Sequence, residues 1–257
     1  MSVNRRLKLA LIGLSVLLCS SSQASYASPL IKKDRSYFEK KGDMIWEVQT
    51  DQKVIALTFD DGPDPVETNA ILDLLNRYGA RSTFFVIGKR VKQFPEVVQR
   101  VIGEGHEVAN HTYSHVFFHL PSSKRIVREE IERTEQAIIE ASGRRTYLFR
   151  PPGGIYDETI IQVSNEMGLV PIMWSWHQDT EDWNRPGVRH IINKVLNNVR
   201  GGDIILFHDH VEGKTQTVAA LEVILPELQK RGYKMVPVSE LLRSAVPMTG
   251  LQESGSR

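Results

Sequence analysis

One cysteine in 257 residues, Cys19, leaves no room for an intrachain disulfide framework or a cysteine-based zinc cluster. Charge of one sign is also missing. Lys plus Arg number 32 against 31 Asp plus Glu, a formal net charge of +1, so no cationic surplus marks a nucleic-acid binder and no such partner is expected. The longest apolar run, Leu9–Leu18, falls short of the roughly 20 residues that span a bilayer. There is no internal repeat, and no G-x-G-x-x-G follows the first apolar strand candidate, which disfavours a dinucleotide-binding doubly wound sheet. What remains is ordinary globular composition, 41% apolar and 25% charged, which excludes collagen-like and low-complexity chains.

The N-terminus reads as a secretory leader. Arg5, Arg6 and Lys8 precede the apolar run, and Ser25 and Ala27 place small side chains at −3 and −1 of a cut after Ala27. Leu18 before Cys19 is the wrong residue for a lipoprotein signal. Removing residues 1–27 takes away all three of those cations and the cysteine, and moves the formal charge from +1 to −2. A secreted protein is expected, free or associated with the cell wall, monomeric, with no transmembrane span in the mature chain.

Residues 28–52 are mixed and polar and read as an N-terminal extension on which Trp46 and Val48 pack. From residue 53 to about 243 short apolar runs alternate with helix-period segments. Strands are expected at Val54–Phe59, Thr83–Val86, Glu107–Ala109, Leu148–Arg150, Pro171–Trp174, Ile204–Phe207 and Met235–Val238. Helices are expected at Val66–Tyr78, Pro95–Glu104, Lys124–Ala141, Glu158–Met167, Gly187–Val199 and Val218–Lys230, most of them followed by glycine. This alternation predicts an α/β fold, a single-domain (β/α) barrel with seven or eight parallel strands. Residues 244–257 form a C-terminal tail.

In such folds the chemistry collects where strands end. The first strand ends in Asp60-Asp61-Gly62-Pro63. Asp-Gly-Pro is good turn chemistry, but two adjacent carboxylates beside an apolar strand also suit a cation and a base. The third leads into Asn110-His111-Thr112-Tyr113-Ser114-His115, with two histidines at i, i+4 on one face of a helical turn. His106 and His119 lie close enough to compete as ligands. The fourth ends in Arg150-Pro151-Pro152-Gly153-Gly154: either a plain turn, or an arginine for a carboxylate with exposed N–H donors for an oxyanion. The fifth runs into Asp179-Thr180-Glu181-Asp182-Trp183, three acids beside an aromatic. The sixth ends in Leu206-Phe207-His208, an acid–base position or a capping histidine.

Taken in order, these five segments resemble the motifs of the polysaccharide deacetylases with a NodB-homology domain, carbohydrate esterase family 4. The resemblance covers about residues 53–243. It implies a distorted (β/α) barrel and an N-deacetylase that hydrolyses the acetamide of N-acetylglucosamine units in peptidoglycan or a chitin-type oligosaccharide, releasing acetate. It further implies that Asp61, His111 and His115 hold one divalent ion, zinc first and cobalt or another divalent ion otherwise. By the same resemblance Asp60 is the base, Arg150 its partner, His208 the acid and Asp182 the partner of His208. Gly153 supplies an N–H for the oxyanion, and Trp183 and Leu206 line the acetyl-binding groove. One departure stands out: the family often carries an aromatic where this chain has Gly153, so a groove wall is missing, with Tyr156 as a candidate replacement. Three other readings use the same residues differently: an O-deacetylase of acetylated xylan, an inactive wall-binding module, and a phosphatase built on Asp60-Asp61-Gly62.

Overall fold

A computed structural model describes residues 33–213 and 215–245; the expected leader and residues 246–257 of the tail lie outside the described residues. Seven parallel strands form the sheet: β1 (Val54–Asp60), β2 (Thr83–Val86), β3 (Glu107–Asn110), β4 (Leu148–Phe149), β5 (Val170–Pro171), β6 (Ile204–His208) and β7 (Lys234–Met235). The order is β5-β4-β3-β2-β1-β6, with β7 pairing the first two residues of β1. The path curls but does not close by strand pairing. The gap between β5 and β6 is bridged by single pairings, Ile45 with Ile172, Glu47 with Asp203, and Asp179 with Leu206. The fold is thus a distorted (β/α) barrel whose seam is sewn by residues 45–48. Met44, Trp46 and Val48 of this segment are buried.

The described residues hold nine α-helices: α1 (Arg35–Lys41), α2 (Glu67–Arg77), α3 (Gly88–Gln93), α4 (Pro95–Gly103), α5 (Lys124–Ser142), α6 (Glu158–Glu166), α7 (Val188–Leu196), α8 (Thr217–Lys230) and α9 (Val238–Arg243). Their starts and stops follow local chemistry. Asp34 and Asp157 accept the Tyr37 and Ile160 amides at the N-caps of α1 and α6. α5 stops at Gly143, which takes the left-handed conformation at φ 69°. Its apolar stripe, Val127, Ile131, Ala137, Ile138 and Ala141, is buried.

Strand parity organises the interior. Along β1, Ile55, Leu57 and Phe59 face the helix layer, while Val54 and Ala56 join a second cluster inside the barrel. Phe59 stacks on Phe84 and Phe207 at ring distances of 5.0 and 5.6 Å, tying the neighbouring strands β2, β1 and β6 on the helix side. Fully burying such a side chain stabilises by roughly 1.5–3 kcal/mol. The interior parity continues past the apolar positions to Thr58 and Asp60. The same count runs from Ile204 to Leu206 and His208 on β6, from Ala109 to His111 after β3, and from Leu148 to Arg150 after β4. Four polar side chains therefore converge at one mouth of the barrel because each sits an even number of residues beyond an interior apolar one.

β1, β3 and β6 each run one residue beyond expectation, to Asp60, Asn110 and His208, whereas β4, β5 and β7 end early. β5 covers Val170–Pro171 rather than Pro171–Trp174, because the carbonyls of Ile172 and Met173 are taken by the Arg150 guanidinium and the Met173 amide by Ile45. β4 ends at Phe149, where Arg150 is followed by two prolines without N–H groups. β7 ends at Met235, since Pro237 caps α9 and turns Val238 into its first residue.

Candidate active site

Asp60, Asp61, His111, His115, Gly153, Trp183, Leu206 and His208 line one cavity of about 330 Å³ at this mouth, with Arg150 and Asp182 buried behind it. The expected site residues are thus brought together.

Asp61 Oδ1 lies 3.0 Å from His115 Nε2 and 3.4 Å from His111 Nε2. These three ligand atoms lie within 4.8 Å of one another. His111 Nδ1 is 2.7 Å from the Arg150 carbonyl, a contact that requires the proton on Nδ1 and leaves the Nε2 lone pair facing the carboxylate. Two facing lone pairs repel unless a proton or a cation lies between them. Asp61 Oδ1 is buried, and among the described residues no amide or hydroxyl donates to it. Burial alone would raise the Asp61 carboxyl, but the His111 and His115 imidazoles outweigh it and hold it well below the usual carboxylate range. Two imidazoles and a carboxylate, with an open side toward the cavity, fit a divalent ion of the zinc type.

The pairing of the histidines does not come from a helical turn. Residues 111–115 are a loop in which Thr112 and His115 adopt φ 67° and 57°, and Asp61 adopts 75°. Left-handed backbone at three non-glycine residues around one cluster is costly, and surrounding bonds impose it. His106 and His119 are not part of the cluster. His106 accepts the Ser82 amide and packs edge-on against Phe84; burial pushes it down to about 4, so it is a neutral core residue. His119 is exposed.

Arg150 is fully buried and spends its guanidinium on four partners. Nη1 donates to Asp60 Oδ1 at 2.7 Å and to Thr58 Oγ1 at 2.9 Å, Nε to the Ile172 carbonyl and Nη2 to the Met173 carbonyl. Its plane lies 4.0 Å from the Phe85 ring centroid. Asp60 is consequently held at one oxygen and presents the other to the cavity.

On the facing strand, His208 Nδ1–H donates to Asp182 Oδ1 at 2.7 Å, and Asp182 Oδ2 accepts the His208 amide at 2.9 Å and the Thr217 hydroxyl at 2.6 Å. Burial would lower the imidazole, but the Asp182 bond and charge, with Asp61 and Asp60 beyond, push it up to about 9. His208 is therefore cationic at neutral pH. Strand register sets it beside Asp60.

The missing groove wall is supplied from elsewhere. Gly153 has φ 62°, and a Cβ there would come within 2.6 Å of the Phe117 ring. Phe117, 53% exposed, stands where a side chain on residue 153 would project. Tyr156 packs instead against Phe38 and Trp46.

This constellation agrees with comparison to known proteins. The sequence profile described as polysaccharide deacetylase matches residues 47–172. The peptidoglycan-N-acetylglucosamine deacetylase of Bacillus cereus is 46% identical over 209 residues, covering 81% of this chain and 97% of that protein. The chain belongs to the polysaccharide deacetylase family, carbohydrate esterase family 4, with the NodB-homology domain. A chitooligosaccharide deacetylase of a Bradyrhizobium species is 35% identical, covering 83% of this chain and 97% of its own. The crystal structure of a peptidoglycan N-acetylglucosamine deacetylase in complex with an N-oxidanyl-benzamide superposes with a TM-score of 0.76 at 32% identity, covering 81% of this chain and 96% of that one.

Several side chains that shape this polysaccharide deacetylase site were not foreseen. Glu130 of α5 accepts the Tyr113 and Ser114 amides and the Ser114 hydroxyl at 2.8–2.9 Å, while Asn110 Oδ1 accepts the Thr112 amide at 3.0 Å. Together they hold the His111–His115 loop in its left-handed turns. Thr217 performs the same service for Asp182, and Thr58 for Arg150. Loss of outer groups that orient metal ligands typically costs about 10–100-fold in metal affinity. Glu130→Ala is expected to weaken divalent-metal binding within that range while the chain stays folded, measured by competition with a chromogenic chelator. Unchanged affinity would show that the loop holds its shape without Glu130.

Proposed function

We propose that this chain is a metal-dependent N-deacetylase of a cell-wall glycan, hydrolysing the acetamide of N-acetylglucosamine units in peptidoglycan and releasing acetate. The observation that carries this reading is the meeting, around one cavity, of the Asp61–His111–His115 ligand set with an Arg-held carboxylate and a carboxylate-held imidazolium. Asp61, His111 and His115 would hold a divalent ion, zinc by their donor chemistry, which when bound would supply polarisation of a carbonyl and acidification of water.

The protein's own residues supply the rest. Asp60, oriented by Arg150, takes the proton of the water whose oxygen attacks the acetamide carbon. The Gly153 N–H, at the cavity edge, serves the negative oxygen that forms. His208, charged at neutral pH, passes a proton to the departing nitrogen as the C–N bond breaks, and Asp182 keeps its ring oriented. Leu206 and Trp183 give the acetyl methyl an apolar seat. Acetate and a free sugar amine result.

Peptidoglycan is favoured over chitin oligosaccharides because the Bacillus cereus relative that shares 46% identity bears that activity in its name. An extracellular site of action follows from the leader pattern at residues 1–27 and from that relationship. Among the described residues no helix is long and apolar enough to cross a membrane. The acetyl-xylan reading has less support, because the alkoxide of an ester leaves more readily than an amine and asks less of a histidine pushed up to about 9. A binding module would need neither the Asp60–Arg150 nor the Asp182–His208 pair.

Acetate release measured side by side on peptidoglycan, chitin oligomers and acetylated xylan tests the proposal. The expected order is peptidoglycan, then chitin oligomer, then xylan, with activity abolished by chelator and restored by zinc or cobalt. Faster release from acetylated xylan than from either amide substrate would overturn it.

A further inference from the structure

Where residues 45–48 close the barrel seam they meet the start of β6 and the Trp176–Gln178 turn. Glu47 pairs with Asp203, the Val48 amide donates to the Gly202 carbonyl, and the Ser175 amide donates to the Ile204 carbonyl. The approach is close because residues 201 and 202 are glycines: a Cβ on Gly202 would collide with the Val48 carbonyl, and one on Gly201 with the Gln52 carbonyl. One side chain from each of the three segments meets the others there. Glu47, His177 and Asp203 each offer one ligand atom, and these lie within 4.8 Å of one another. The cluster is separate from the catalytic one. Asp203 precedes β6 and His208 ends it, about 16 Å further along the strand.

Charge and hydrogen bonding leave this cluster short of a cation. Asp203 is buried, and its two oxygens lie 3.0 and 3.1 Å from His177 Nε2. The Arg200 amide and Gln178 Nε2 also reach Oδ2, at 2.8 and 3.3 Å, so Oδ2 is engaged and Oδ1 is held toward His177. Glu47 brings a second carboxylate. The arginine beside it, Arg35, stands 3.7 Å away and gives its shorter bond, 2.7 Å, to Glu39. Two neighbouring carboxylates, one of them buried, are costly without a counter-charge between them. Gln178 is an independent sign. Its side chain is fully buried, and among the described residues nothing donates to its Oε1. Turned over, the same amide presents Oε1 to the cluster, where the carboxylates would repel it and a cation would attract it.

We propose that Glu47, His177, Asp203 and Gln178 form a second metal site, which takes a divalent transition-metal ion, zinc first, and staples the barrel seam. An imidazole with carboxylate and amide oxygens suits such an ion, whereas calcium and magnesium prefer oxygen alone. Bound there, the ion joins the N-terminal segment to β6 and to the Trp176–Gln178 turn, adding to the single backbone bridges of the seam. Its role is structural and does not depend on the deacetylase reading.

Zinc titrated by calorimetry into chelator-treated protein tests the site. The wild-type chain is expected to take two ions. A His111→Ala/His115→Ala variant, with the catalytic set broken, should keep one, and adding His177→Ala should remove it. In the double variant, zinc at 100 times its dissociation constant should raise Tm by roughly 5–10 °C, and that rise should vanish when His177→Ala is added. Asp203 also holds the Arg200 turn, so Glu47→Gln, which keeps side-chain size and the backbone bridge, is the second variant. It should weaken the second ion by more than about tenfold, the low end for losing even an outer group of a metal site. Saturation at one ion per wild-type chain would overturn the proposal. So would a second ion whose affinity is unchanged by both His177→Ala and Glu47→Gln.

Discussion

In Asp60→Asn, acetate release from a chitin oligomer is expected to fall by about 10²–10⁴-fold, or roughly 3–5 kcal/mol of barrier, while bound metal stays at the wild-type level. The amide oxygen of Asn still accepts the Arg150 donor that Asp60 Oδ1 now holds at 2.7 Å, so the side chain keeps its place and loses only its basicity. Metal is retained because Asp60 stands off the cluster: its nearest oxygen is 3.8 Å from His111 Nε2, against 3.4 Å for Asp61. His111→Ala is the contrast, with metal and activity expected to fall together. Arg150 is fully buried, and neutralising its carboxylate partner leaves a charge less well compensated. Thermal unfolding is therefore followed alongside, and rates are compared at a temperature where both proteins are folded. A near wild-type rate in Asp60→Asn would reduce Asp60 to an anchor for Arg150.

The parts of this site legible from sequence are those that strand parity places. β1 and β6 are long apolar runs, so their last interior-facing residues, Asp60 and His208, could be located by counting. Arg150 lies just past β4 rather than at its last position, since that strand is only two residues long. Where side chains override the backbone, counting fails. The Arg150 guanidinium captures the Ile172 and Met173 carbonyls and so shortens the neighbouring strand. The His111–His115 spacing does bring two imidazoles together, but through a geometry other than the expected one: two left-handed residues, not a helical turn, set the ring centroids 5.2 Å apart. Phe117 as the substitute for an aromatic at residue 153 depends on contact across two loops, for which local sequence holds no sign. Glu130 did leave one. It falls three residues after Val127 and four before Thr134, both buried, so a carboxylate lies on the apolar stripe of α5 and needs internal donors. α3 was missed because six residues with three cations show too little periodicity.

The largest substrate-dependent effect is expected from His208. An amine leaves poorly unless protonated, whereas the phenolate of an aryl acetate leaves without help. His208→Ala should therefore cost about 10²–10⁴-fold on the N-acetylglucosamine oligomer and far less on an aryl acetate, in line with loss of a general acid. Asp182 sets the pH range over which that acid works. Its carboxylate bond and charge are the main influences raising the imidazole against its burial, up to about 9. The acid is active while protonated, so activity is lost as pH rises through that value, and removing the carboxylate lowers it. In Asp182→Asn the alkaline limb of the pH–rate profile for the oligomer should move to lower pH, while the aryl acetate profile keeps its alkaline limb. Asp182 Oδ2 also receives the His208 amide and the Thr217 hydroxyl, so Thr217→Val, which keeps the carboxylate but removes a donor that draws off part of its charge, should tighten its hold on the imidazolium and move the limb slightly in the opposite direction, to higher pH. Equal losses on both substrates in His208→Ala would make that residue an oxyanion contact or a structural one. A stationary limb in Asp182→Asn would separate the two residues and turn attention to Asp209, a fully buried carboxyl next in sequence that burial and the nearby Asp61 and Asp60 charges push up to about 7.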